Sequence, residues 1–152
     1  MGPAVELSTF SGPIHVGVVV KDMDSTIQFL QSNLGIGPWR TWERHYSREQ
    51  VTVGEGPFSF RVAFASLGPI EMELIEVLEG NTTHARFLET HGEGLHHIGF
   101  RVPDMKAVAA RLQERGVDIL QSGVREDGGH VYMDSARTGG VIFEFSQRSA
   151  PR

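Results

Sequence analysis

The chain alternates between two hydrophobic periods. Ile14 to Val20 (IHVGVVV) is β-branched and apolar apart from one His and one Gly, the pattern of a buried strand. Ile27, Leu30 and Leu34 then recur at helical spacing, with Asp22 or Asp24 placed to cap the helix and Gly35 and Gly37-Pro38 to stop it. Trp39 to Tyr46 is aromatic and strand-like. Glu49 to Pro57 carries Gly54, Gly56 and Pro57 and reads as a loop, and Phe58 to Leu67 turns through Gly68-Pro69 into Ile70 to Leu78 as a hairpin. The order is βαβββ. After a polar connector in which Phe87 and Leu88 suggest a short docked helix, the order repeats. A strand at Leu95 to Val102 leads to a helix at Met105 to Arg115, with Val108 and Leu112 inward and Gly116 as its stop. Strands follow at Val117 to Val124, His130 to Asp134 and Val141 to Ser146. The pattern predicts a first module over 13–78, a connector over 79–94 and a second module over 95–147. Residues 1 to 12 read as a loose lead-in, and the polar tail from Gln147 as frayed.

The repeat extends to individual residues. IHVGVVVKDM and HHIGFRVPDM align so that His15 pairs with His97, Gly17 with Gly99, Val20 with Val102 and Asp22-Met23 with Asp104-Met105, at a constant offset of 82 residues. GPIEMEL and GGVIFEF align Glu73 with Glu144 at an offset of 71, so the second module has shorter loops.

Composition narrows the chemistry. A chain of 152 residues can bury a sizeable core. It has no Cys, so any metal must be held by His and carboxylates. Nineteen acidic and fourteen scattered basic residues give a net charge of −5 and no footprint for nucleic acid. Apolar runs of five or six residues are too short for a membrane span or a signal peptide, so a cytoplasmic protein is expected.

Strand alternation sorts the polar candidates. His15 and Gly17 share one face of the first strand, as do His97, Gly99 and Arg101 on the fifth, Glu71 and Glu73 on the fourth, and Glu144 and Ser146 on the eighth. All lie opposite the helix-packed face. Two modules related by a pseudo-twofold would close these faces around one cavity, into which two His and two Glu point. Imidazole nitrogen and carboxylate oxygen suit Zn, Co, Ni, Mn or Fe(II), and Gly17 and Gly99 would keep space open beside the ligands. A single strand His or Glu is more often structural or solvated; the coincidence across both repeats decides for a metal site. His96 has the opposite parity and is expected on the packing side. His45, His84, His91 and His130 have no repeat partner and are expected on loops or strand ends, with His130 able to approach the pocket.

These residues resemble the vicinal oxygen chelate superfamily, which includes glyoxalase I, extradiol dioxygenases and fosfomycin- and bleomycin-resistance proteins. Within it, IHVGVVVKDM, IEMELIEVLEG, HGEGLHHIGFRVPD and GGVIFEF are most similar to the methylmalonyl-CoA epimerases, over residues 13 to 147. The resemblance implies an α+β fold, two βαβββ modules forming a curved mixed sheet around a metal-binding cavity. It implies His15, Glu73, His97 and Glu144 as ligands of one divalent ion, with Glu73 and Glu144 also as catalytic acid and base. It further implies a small-molecule substrate, such as an acyl-CoA, and a homodimer. The expected reaction removes and returns a proton alpha to a thioester and a carboxylate. Lys21, Arg40, Arg44 and Arg61 are available for CoA phosphates, although surface charge is the simpler reading of each. Arg61 stands nearest to where some bacterial epimerases carry a third-strand carboxylate, and the aromatic segment GPWRTWERHY is atypical of them. The alternatives are a related lyase, isomerase or hydrolase, favoured if Trp39, Trp42 and Tyr46 line the cavity, a non-haem iron dioxygenase, and a metal-free drug-binding resistance protein.

Overall fold

Among the described residues, β-branched and aromatic runs form nine strands, and the capped amphipathic segments form three helices. The computed structural model describes residue 4 and residues 12 to 148. In chain order the elements are β1 (Pro13–Val19), α1 (Met23–Leu34), β2 (Arg40–Tyr46), β3 (Val51–Val53), β4 (Phe58–Ser66), β5 (Glu71–Glu79), α2 (Thr83–His91), β6 (Gly94–Arg101), α3 (Met105–Gln113), β7 (Ile119–Arg125), β8 (Gly128–Met133) and β9 (Ile142–Arg148). The strands make one mixed sheet in the order β2-β4-β5-β1-β6-β9-β8-β7-β3. Apart from the short β3, each half carries the βαβββ order. β1 lies parallel to β5 and β6 parallel to β9, and the halves meet at the antiparallel pair β1–β6. Both modules therefore belong to one continuous sheet within the chain.

α1 and α3 are each fixed to their module by the same two bonds. Asp22 accepts from Ser25 N and Asp104 from Ala107 N, each at 3.0 Å, satisfying N-terminal amides left without helical partners. Glu76 accepts from Met23 N at 2.7 Å, and Gln147, at the same 71-residue offset, accepts from Met105 N at 2.9 Å. Beneath α1, Met23, Leu74 and Ala63 pack with Ile27, Leu30 and Trp39. Beneath α3, Met105 and Val108 pack with Phe100, Val131 and Phe145, and Leu112 joins them. Leu34, expected on the inner face, is 64% exposed at the end of α1.

Two further expectations change. The stretch Glu49 to Pro57 is not wholly a loop: a 3-10 turn at Arg48–Gln50 leads into β3, which pairs with β7 of the second module. Gln147 and Arg148 complete β9 and are not frayed. Residues 149–152, and the lead-in apart from residues 4 and 12, lie outside the described residues. No helix among the described residues is long and apolar enough to cross a membrane.

Because β3 follows β2 after a few residues yet pairs at the far edge of the sheet, the sheet curls until its two ends meet. Tyr46 Oη on β2 lies 3.0 Å from His130 Nδ1 on β8. A cavity of roughly 750 Å³ remains on the concave face.

Candidate metal centre

The central strand pair exchanges a histidine for a glycine twice. In the β1–β6 register His15 faces Gly99 and Gly17 faces His97. A Cβ on Gly17 would overlap the His97 ring, and one on Gly99 the His15 ring, so each imidazole lies over the bare backbone of the other repeat. This is why the His-x-Gly phrase recurs, and it brings the two Nε2 atoms to 3.1 Å. Glu73 on β5 and Glu144 on β9 flank the pair from either side, since the local order is β5-β1-β6-β9.

The structure thus brings all four residues singled out in the sequence together, and all are buried. His15 Nε2 lies 3.1 Å from Glu144 Oε1 and 3.7 Å from Glu73 Oε2; His97 Nε2 lies 3.7 Å from Glu73 Oε1 and 3.9 Å from Glu144 Oε1. Donors held about 2.0–2.2 Å from one ion sit about 3 to 3.5 Å apart, so these spacings are close to those of a shared ligand set. Two neutral nitrogens and two carboxylates have the composition of a site for a borderline divalent ion. His15, Glu73 and His97 place one ligand atom each within 4.8 Å of one another, and Glu144 reaches the same two imidazoles, so the chemistry of the set fits such an ion.

The electrostatics agree. Burial alone would depress the His15 imidazole, but Glu73 and Glu144 outweigh it and carry His15 to about 9. Burial keeps His97 well below the usual imidazole range and therefore neutral. Burial pushes the Glu73 carboxyl up to about 7 against the pull of His15. Glu144 is held well below the carboxylate range because His97 and His15 outweigh its burial. His15 holds a proton at neutral pH and Glu73 is part-protonated there, and a cation bound at the cluster would displace both protons.

Around this set lies a second layer of polar side chains that sequence reading missed. His96 is the extra residue of an irregularity in the β1–β6 ladder, where Gly17 pairs with His97 but Val18 with Leu95. The bulge turns His96 toward its neighbour: its Nδ1 lies 2.9 Å from His97 Nδ1, and its Nε2 lies 3.4 Å from Thr83 Oγ1. With the His97 proton on Nδ1, its Nε2 lone pair faces the cluster. Tyr132, fully buried on β8, pairs with Glu144 of β9 in the ladder, and its hydroxyl lies 2.9 Å from His84 Nε2. His84, expected on a loop or strand end, is fully buried in α2. No feature of its sequence neighbourhood marks it, whereas the i, i+2 spacing of His130 and Tyr132 places both on the cavity face.

Trp42, Tyr46, Phe60, Val62 and Phe64 form an aromatic and aliphatic wall. Trp42 stacks on Phe64 at 5.2 Å, and Phe64 meets His15 edge-on at 5.7 Å. Trp39 is not part of it; its Nε1 donates to Ile36 O beneath α1. Of the basic residues considered for phosphates, Arg40 and Arg44 line the cavity, while Arg61 pairs with Asp24 on the helix side at 3.1 Å and Lys21 is not part of the lining.

Comparison with known proteins agrees with this architecture. Residues 14–133 match the sequence profile described as Glyoxalase/Bleomycin resistance protein/Dioxygenase superfamily. The chain is 29% identical over 136 residues to the uncharacterized protein YqjC of Bacillus subtilis, covering 88% of this chain and 89% of that one. It is 28% identical over 117 residues to the ethylmalonyl-CoA/methylmalonyl-CoA epimerase of Cereibacter sphaeroides, covering 76% and 79%. A Streptomyces coelicolor methylmalonyl-CoA epimerase variant, solved in complex with 2-nitronate-propionyl-CoA, shares the fold with a TM-score of 0.70 at 23% identity, covering 93% of this chain and 99% of that one.

Proposed function

The chain belongs to the Glyoxalase/Bleomycin resistance protein/Dioxygenase superfamily, and from that premise we propose that it is a metal-dependent epimerase of the methylmalonyl-CoA type. The carrying observation is the convergence of His15, Glu73, His97 and Glu144, two from each module, with His15, Glu73 and Glu144 lining one cavity and His97 buried against them. Similarity at 28% identity to a named epimerase supports the same reading. Acyl-CoA is the proposed substrate.

A bound divalent ion supplies Lewis-acid polarisation of a substrate carbonyl oxygen. The chain's own residues do the rest. His97 presents an Nε2 lone pair oriented through its contact with His96, and His15 would present its own once the ion displaces its proton. Glu73 and Glu144 stand on opposite sides of the imidazole pair, so a carboxylate oxygen is available on each side of a substrate carbon held between them. Removal of the α-proton by one and return by the other gives inversion. Among the acids that line the cavity, Glu71 and Asp127 are engaged by arginines, which leaves these two for proton transfer. The aromatic wall and the Tyr46–His130 contact close the sides of the cavity against water.

A second reading has its own observation. Trp42 and Tyr46 narrow the cavity with aromatic surface, which favours a lyase or isomerase acting on a smaller carbonyl compound. One pair of measurements separates the two. Elemental analysis of protein purified without chelator should find about one divalent ion per chain, lost in His97→Ala and Glu144→Ala. Metal-loaded protein in deuterated water should then exchange the C2 proton of methylmalonyl-CoA. Absence of exchange transfers the assignment to the second reading, and absence of the ion removes metal dependence.

A further inference from the structure

The cavity carries more positive charge than its carboxylates balance. Arg40, Arg44, Arg101, Arg125 and Arg148 all line it, in a chain whose net charge is −5. Of the four carboxylates that face the same space, Glu73 and Glu144 belong to the imidazole cluster. Glu71 pairs with Arg40. Asp127 is gripped by Arg125 through Nε at 3.0 Å and Nη2 at 2.7 Å, and reaches Arg44 only at 3.5 Å.

Among the described residues, Arg101 and Arg148 are the two lining arginines with no carboxylate within salt-bridge distance, and Arg101 is the more deeply set. It follows His97 and Gly99 on the same face of β6, opposite Ser146 of β9, so it stands one strand step, roughly 6.6 Å, beyond the row that holds Gly99 and Glu144. Its Nε is buried with no hydrogen-bond partner, a condition that calls for a missing acceptor. Arg148 follows Ser146 on the same face of β9, and burial together with that like charge depresses the Arg101 guanidinium. Arg44 on β2 is in the same state, depressed by burial and by Arg125. Two pairs of like charges around one concave space cost Coulomb energy that an anion between them would recover.

We propose that the cavity selects a compact organic acid, whose carboxylate or phosphate is anchored by Arg101, with Arg44 as a second contact, one strand step from the His and Glu cluster. A guanidinium offers the forked pair of donors that such a group accepts in parallel. The proposal rests on the reading of this cavity as the substrate site and names the class of substrate. It also says which part of an acyl-CoA is read. The pantetheine arm separates the CoA phosphates from the thioester by far more than one strand step, so a phosphate of CoA cannot reach Arg101 while the thioester lies at the cluster. An acid group on the acyl portion can.

Calorimetric titration with malonate, inorganic phosphate and coenzyme A, on protein as purified and after chelation, tests this. Saturable binding of malonate or phosphate is expected in both preparations. Arg101→Gln should weaken it by about tenfold or more, Arg101→Lys should restore part of it, and Arg111→Gln on the outer face of α3 should leave it unchanged. A fold-wide defect in Arg101→Gln would appear in its circular dichroism, in which case Arg44→Gln decides by the same criterion. No saturable binding of either small anion, binding indifferent to both arginines, or binding of coenzyme A alone overturns the proposal. Anion binding after chelation does not depend on the ion, so its failure is distinguishable from a failure to find metal.

Discussion

At the scale of single residues, the site depends on two glycines as much as on two histidines. The methyl group of Gly99→Ala would occupy the position of the His15 ring. That variant is expected to lose most of its ion while keeping its far-UV circular dichroism; retention of about one tightly held ion per chain would mean that the ring can move aside without loss. His96 acts one contact further out. His96→Ala is expected to weaken ion affinity by about 10- to 100-fold, measured by competition with a chelating dye, because His97 Nδ1 loses the partner that fixes its proton. Unchanged affinity would show that the strand alone orients His97. The repeated His-x-Gly phrase was readable in the sequence because it recurs at a fixed offset. The role of His96 was not, since alternation assumes an unbroken ladder and a single bulged residue reverses the face it assigns.

Among the elements, the two helices show how one repeat is built twice from different letters. Asp22 and Asp104 cap them alike, while Glu76 and Gln147 reach from β5 and β9 to the first amide of each. Replacing Asp104 with Ala should lower unfolding stability by about 1 kcal/mol, read as a shifted denaturant midpoint at unchanged slope. Ion content should be unaffected, because α3 packs on the face of the sheet away from the cluster. Most strands, the helices and the face assigned to His15, Glu73, His97 and Glu144 were legible because long apolar runs carry a period. β3 was not: three residues are too few for alternation to register, and Gly54, Gly56 and Pro57 dominate its neighbourhood. Yet this strand joins the first module to β7, fastened by Val51 opposite Gly123 and by Thr52 Oγ1 donating to Ser122 Oγ at 2.9 Å.

For the whole molecule, the proposed ligand set straddles the seam between the modules. His15 and Glu73 come from one half, His97 and Glu144 from the other, and the β1–β6 ladder runs between them. An ion held by all four binds the folded chain and not the unfolded one, so it stabilises both halves at once, by about 2.7 kcal/mol at a free concentration one hundred times its dissociation constant. Thermal unfolding is therefore expected as one cooperative transition that a divalent ion raises, that a chelator lowers again, and that Glu144→Ala leaves insensitive to either. The backbone favours this result independently of the ion, since β1–β6 joins the halves at the middle of the sheet order and β3–β7 joins them again at one end. Two separate transitions, with the ion moving only one, would mean that each module folds on its own and that the cluster forms after the halves dock. Scanning calorimetry with and without the ion distinguishes these outcomes, and the single transition is the one consistent with a site that neither module completes alone.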